Sequence, residues 1–276
     1  MTEQDFLPGK TGAFQETYGG GRKRRKVRMD LRLAMIACEV MVREVSFLTA
    51  QSEHIISVRW MKHGLHDNPS MLNRMLKEKI AEIEELNEQM SADKKFDAIV
   101  LGYGLCSNGV IGISAETLPL VIPKCDDCIA LFLGSQSRYL ELFRQYKGIY
   151  WYTPGWVERA FTPSPESYRR RLREYEETYG EENAAYLLEQ ENSWIANYRY
   201  GIFIDSPICR RKDYAEYSKN AAESFGWSYL GVMGSMDYFT ELLSGTWDNA
   251  RFLVCPPGYV TEASYDESKI KAIPKH

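Results

Sequence analysis

A chain of 276 residues is long enough for one large domain or two modest ones, each with its own core. Apolar residues make up 44% and charged residues 26%, a balance ordinary for soluble proteins, and no apolar run approaches the ~20 residues of a membrane-spanning helix. The net charge of -4 excludes a global basic footprint, so nucleic acid is not an expected partner.

The N-terminus is polar and glycine-rich and carries no signal-peptide core, which makes the cytoplasm the expected compartment. Six cysteines in such a chain read as reduced thiols that pack, bind metal or react, not as three disulfides. Residues 1–28 end in Gly21-Arg-Lys-Arg-Arg-Lys-Val-Arg28, read as a solvated, mobile basic tail, with Met29 as an alternative start.

Leu31 to Ala37 is a strand candidate ending at Cys38, and from Glu39 to Thr49 apolar residues recur at helical spacing. A thiolate at that junction would feel the positive end of the helix, which lowers its pKa; the plainer reading is a small buried residue. Ile55 to Met61 reads as a second strand opening into His63-Gly-Leu-His66-Asp67-Asn68-Pro69. Asn68 suits an N-cap and Pro69 the first helical position, so His66 belongs either to that cap or to a site. An amphipathic helix from Met71 to Met90 follows.

Ala98 to Leu101 is a continuous apolar run, the pattern of a strand covered on both faces. It breaks into a loop containing Gly102, Gly104, Cys106 and Gly109. Leu120 to Ile122 is the next strand and enters Cys125-Asp126-Asp127-Cys128; two aspartates between the thiols raise their pKa values, which argues against redox use of the pair. Gly134-Ser135 precedes a helix from about residue 137 to 146. Tyr150 to Trp156 reads as an aromatic hinge, and residues 166–179 and 181–198 as charged helices. Strands at 200–204, 228–233 and 251–254, the last ending at Cys255, complete a second βαβαβ pattern.

The pattern predicts an α/β chain of two Rossmann-like lobes with mainly parallel sheets and a cleft at the strand C-terminal ends. The lobes would span residues 29–150 and 200–276, joined by hinge and helices at 151–199. Cys38, His66, Cys106 and Cys128 each follow a strand, and parallel strands place such positions along one edge. Cys255 would face them from the second lobe. Three thiolates with a fourth position open suit zinc as a Lewis acid or an iron-sulfur cluster, and spacing does not separate the two. The fourth ligand would be His66, Cys125, Cys255 or an exogenous group, with Glu39 or His66 handling protons.

A rival reading makes Gly102, Gly104 and Gly109 a phosphate cradle, although Ser107 replaces the third glycine of a dinucleotide fingerprint. Gly134 and Ser135, ahead of a helix, could add anion-binding amides. The leading expectation is a metal-binding protein acting on a small molecule. The alternatives are a non-catalytic small-molecule or corrinoid carrier and a nucleotide-using enzyme.

Ile36-Ala-Cys38-Glu39, His63-Gly-Leu-His66-Asp67, Leu101-Gly-Tyr-Gly-Leu-Cys106, Asp127-Cys128 with Leu131-Phe-Leu-Gly-Ser135, and Tyr152-Thr-Pro-Gly-Trp156 occur here in order. Together they resemble the domain-of-unknown-function family numbered 1638, over residues from about 31 to 260. The resemblance implies one-carbon or corrinoid-dependent methyl metabolism, with a corrinoid protein or methyltransferase as partner. The family pattern often reads His-Asp-Cys where this chain has Cys125-Asp126-Asp127-Cys128, so Cys125 stands near the place of that histidine.

Overall fold

The computed structural model describes residues 30–160, 162–211 and 213–275; the basic tail expected at 1–28 lies outside them. The strands are β1 (Arg32–Cys38), β2 (Ile55–Met61), β3 (Ala98–Gly102), β4 (Leu120–Pro123), β5 (Ile149–Tyr152), β6 (Tyr200–Asp205), β7 (Ser228–Met233), β8 (Phe252–Cys255), β9 (Tyr259–Ala263) and β10 (Ile270–Pro274). The helices are α1 (Val42–Gln51), α2 (Pro69–Gln89), α3 (Ile129–Leu133), α4 (Gln136–Gln145), α5 (Pro154–Arg159), α6 (Pro165–Tyr179), α7 (Glu181–Glu191), α8 (Asp213–Ser224) and α9 (Asp237–Leu243). This is a mixed α/β fold with a mainly parallel central sheet of order β2-β1-β3-β4-β8.

The apolar runs of β1 and β3 lie side by side in the middle of that sheet and are buried along almost their whole length, as two-sided coverage requires. Crossovers through α1 and α2 keep β1, β2 and β3 parallel. Helix α2 buries Leu72, Leu76, Ile80 and Ile83 on one stripe. Its start is as the sequence suggests: Pro69 opens it and the Asn68 side chain accepts the Met71 N–H at 3.0 Å.

A second sheet, β5-β6-β7, is entirely parallel. Its first strand is the stretch expected to be an aromatic hinge; Ile149-Tyr-Trp-Tyr152 is rich in strand-forming aromatics, and pairing with β6 supplies its backbone partners. The last third also differs from a second βαβαβ set. After β6, α8 and β7, the next strand β8 leaves that sheet and pairs antiparallel with β4. The reason is apolar burial: Tyr238, Phe239 and Leu242 of α9 and Phe252 of β8 belong to the core of the first sheet.

Two features tie the sheets together. Gly155, at the start of α5, abuts the turn after β1 so closely that a methyl group there would lie 1.8 Å from the Val40 carbonyl oxygen. The Ser206 hydroxyl, after β6, donates to the buried Glu44 carboxyl of α1 at 2.6 Å. No helix among the described residues is long and apolar enough to cross a membrane.

The loop after β3 contains three successive non-glycine residues in the left-handed region, Cys106, Ser107 and Asn108, with φ of 43, 58 and 67°. Such a run costs on the order of 1–2 kcal/mol per residue and persists only where its surroundings enforce it. Asn73 of α2 is one enforcer, donating from Nδ2 to the Gly109 and Ile111 carbonyls at 3.0 and 2.6 Å. Thr261 of β9 is another, donating to the Val110 carbonyl at 2.7 Å and accepting the Ile113 N–H at 3.0 Å. Replacing Asn73 with alanine leaves two carbonyls without those donors, so Asn73→Ala should cost about 1–3 kcal/mol in chemical denaturation. Unchanged stability would mean that the turn holds itself.

Candidate functional site

The C-terminal ends of β1, β3 and β4 lie together, since the three strands are parallel and in register. Cys38 is the last residue of β1, Cys106 sits in the left-handed turn after β3, and Cys128 precedes α3 in the loop after β4. Backbone bonds seat the two loops on each other: Leu105 and Cys106 donate to the carbonyls of Cys125 and Asp126 at 2.8 and 3.0 Å. Cys38 and Cys106 are 7% and 5% exposed, and Cys125 is fully buried. None of the six cysteines is in a disulfide.

The thiols share one electrostatic environment. Burial pushes the Cys106 thiol up to about 12, and the charges of Asp127 and Cys38 add to it. Cys128 and Cys125 are raised well above the ordinary thiol value by burial first and then by Cys106 and Asp127. The upward effect of the aspartate between the thiols is therefore as the sequence suggests. Cys38 follows the plainer reading, a small buried residue, and not that of a helix-activated thiolate. The Val40 N–H of the turn that follows it does favour the thiolate, but burial outweighs that bond and the thiol is raised.

Tyr103 stands among these groups. Its phenol is 3% exposed and is raised by burial and by the nearby thiols of Cys38, Cys106 and Cys128. Among the described residues its oxygen finds no regular hydrogen-bond partner. The Cys38 sulfur beside it is a weak partner at best. Asp127 adds another acid: burial raises its carboxyl, against bonds from the Ile129 N–H at 2.8 Å and from the Tyr139 hydroxyl. Asp126 is paired with Lys269 Nζ at 2.6 Å.

Cys106, Asp126, Asp127 and Cys128, but not Cys38, Tyr103 or Cys125, line a cavity of about 440 Å³, inside the range of roughly 300–1000 Å³ usual for small-molecule sites. Cys106, Ser107, Asp127 and Cys128 line one side; Tyr150 and Trp151 of β5 and Trp156 of α5 line another. His66 also faces it, its ring 5.8 Å from that of Trp156. Glu39 does not line the cavity. Its carboxyl binds His63 Nδ1 at 2.7 Å. Burial pushes the Glu39 carboxyl up, but the bonds from the His63 ring and N–H outweigh burial and hold it below the ordinary value.

Cys255 is a correction. Because β8 runs antiparallel, Cys255 pairs with Leu120 at the start of β4, on the opposite rim from the other thiols. The glycines also fall elsewhere than a phosphate cradle requires. Beta carbons at Gly102 and Gly104 would press on Ala37 and on Cys125, 2.9 and 2.8 Å away, so both are demanded by packing. A Gly109 methyl would meet Leu72 at 2.5 Å. Gly134 ends α3 at φ 81°, and Ser135 caps α4 by accepting the Arg138 N–H at 3.1 Å.

Among the described residues, no group of three or more His, Cys, Asp and Glu side chains is already arranged to hold a metal ion. Sequence reasoning passed over Tyr103, Asp127 and Tyr139 as site residues. Tyr103 lay in plain view inside the glycine loop, but a lone tyrosine beside glycines carries no local mark of an orphaned hydroxyl.

Fold and site thus define an α/β protein with buried, protonated thiols on the rim of a mainly parallel sheet, beside an aromatic cavity. Residues 60–243 match the family described as "Protein of unknown function (DUF1638)", and the chain belongs to that family. No curated protein and no solved structure matches it.

Proposed function

We propose that this is a metal-binding protein in which Cys38, Cys106 and Cys128 hold a soft metal centre, an iron-sulfur cluster or a zinc ion, between two Rossmann-like lobes. The centre would act on a small molecule in the adjoining cavity. The observation that carries this reading is that parallel strands bring Cys38 and the loops of Cys106 and Cys128 to one rim, where Leu105 and Cys106 donate to the carbonyls of Cys125 and Asp126. The donor chemistry fits: sulfur selects zinc or iron over magnesium and calcium. Buried acids that raise one another's pKa values are the groups a cation would bind with release of protons, and loading would include a turn of the thiols toward the ion.

His66, on the cavity wall, is the group placed to exchange a proton with a bound molecule, while Glu39 orients His63. All six cysteines are free, which suits a reducing cytoplasm. A corrinoid, where one takes part, would be carried by a partner protein or methyltransferase, because the cavity suits a small molecule. Among the described residues neither lysine nor arginine lines it, which weighs against a nucleotide ligand.

The test is metal analysis of anaerobically purified protein beside the variant carrying Cys38→Ser, Cys106→Ser and Cys128→Ser. Stoichiometric metal should be present in the parent, absent from the triple variant and retained by Cys255→Ser. Full metal content in the triple variant would overturn the assignment. A second reading, a metal-free carrier of a small molecule, draws on the lack of a pre-set donor triad among the described residues. Native mass spectrometry showing an organic ligand in metal-free protein would favour it.

A further inference from the structure

We infer that the ligand of this cavity is a small organic cation, an amine or a quaternary ammonium compound, held against aromatic faces and beside Asp127. The inference concerns the cavity of the proposed function and names its substrate class, but it rests on the walls and not on the thiols.

The first support is the composition of the wall. Tyr139, Tyr150, Trp151, Trp156 and Tyr198 all line the cavity. Several are fixed by one another: the Trp156 indole N–H donates to the Tyr150 hydroxyl at 3.1 Å, and the rings of Tyr139 and Trp151 lie 6.1 Å apart. Aromatic faces carry negative electrostatic potential, and several of them around one space attract a cation from which water has been removed.

The second support is charge. Among the described residues, the lining contains two carboxyl groups, one imidazole and no lysine or arginine. Lys269 answers Asp126. Asp127 instead takes an N–H and a phenol hydroxyl, and the basic side chain that bears on it is His66. Among these described residues an anionic ligand would meet carboxyl groups and ring faces, and no lysine or arginine to receive it. A neutral apolar ligand would cover the rings but leave Asp127 without a counter-charge. A cation satisfies both. Three thiolates around a divalent ion would also leave one net negative charge beside the same space, so the centre proposed above and a cationic ligand reinforce each other.

The experiment is calorimetric titration of the full chain with tetramethylammonium, choline and propylammonium, each beside its neutral carbon isostere and with acetate as the anion. At least one ammonium compound should bind ten-fold or more tightly than its isostere, with no binding of acetate. Trp156→Leu and Asp127→Asn should each weaken that binding about ten-fold, while Trp156→Phe, which keeps a ring, retains most of it. Isosteres binding as well as the cations, no binding by any ammonium compound, or affinity unmoved by both Trp156→Leu and Asp127→Asn would overturn the inference. Repeating the titration on the triple cysteine variant separates the two proposals. Cation binding without metal would leave this inference standing whatever becomes of the metal centre, and metal without cation binding would do the reverse.

Discussion

Metal-free protein should lose stability steeply as the pH rises from 9 toward 12. Cys106 ionises at about 12 in the folded chain, because it is buried and faces Asp127 and Cys38, against an ordinary value of 9.0. A folded pKa above the unfolded one means that the contribution is fully present below 9 and is lost as pH climbs through the folded value. Over that window the unfolded chain releases a proton that the folded chain keeps. At pH 11 the loss from Cys106 alone is about 3 kcal/mol. Cys38, Cys125 and Cys128 are shifted the same way and steepen the decline. Urea denaturation at pH 8, 10 and 11 measures this directly, and Cys106→Ser, whose hydroxyl does not titrate there, should flatten the slope. Equal stability at pH 8 and 11 would show that the thiols are not held protonated by the fold. Zinc added at neutral pH to protein with this property should release protons, which a pH indicator in weak buffer records.

Gly155→Ala should be the most damaging single methyl group that can be added to the chain near the site. The atom it would strike, 1.8 Å away, is the Val40 carbonyl oxygen, with the carbonyl carbon at 2.7 Å. Backbone cannot turn aside as a side chain can. Either α5 lifts from the turn after β1 or that turn moves, and both Val40 and Trp156 line the cavity. We expect a cost of at least about 3 kcal/mol and a melting temperature lower by roughly 6–12 °C. Gly231→Ala is the control: in β7 a methyl would have, among the described residues, only the Tyr229 hydroxyl oxygen near it, at 3.8 Å, and the change should stay within about 0.5 kcal/mol. Equal melting temperatures for the two variants would mean that the contact between α5 and the β1 turn is not needed for stability.

Much of this protein is determined locally and can be read without coordinates. The apolar runs at 32–38 and 98–102 are buried strands because nothing else buries five or more consecutive apolar residues so completely. Asn68-Pro69 starts α2 through one side-chain bond and one fixed φ. That Cys38, Cys106 and Cys128 lie toward one rim follows from parallel pairing alone, since every such strand delivers its final residues to the same edge.

What only the tertiary structure decided is where pairing partners come from. Nothing in Phe252-Leu-Val-Cys255 says that it will run antiparallel beside β4, and that single choice of direction carries Cys255 to the far rim. Nothing local in Tyr150-Trp-Tyr152 distinguishes a hinge from a strand whose partner lies about fifty residues on. The two aspartates already pointed to raised thiols at Cys125 and Cys128, but that burial is the larger cause was beyond reach. A helix terminus promotes thiolate from one or two residues away, whereas burial is the sum of everything packed around a group, and here the sum prevails.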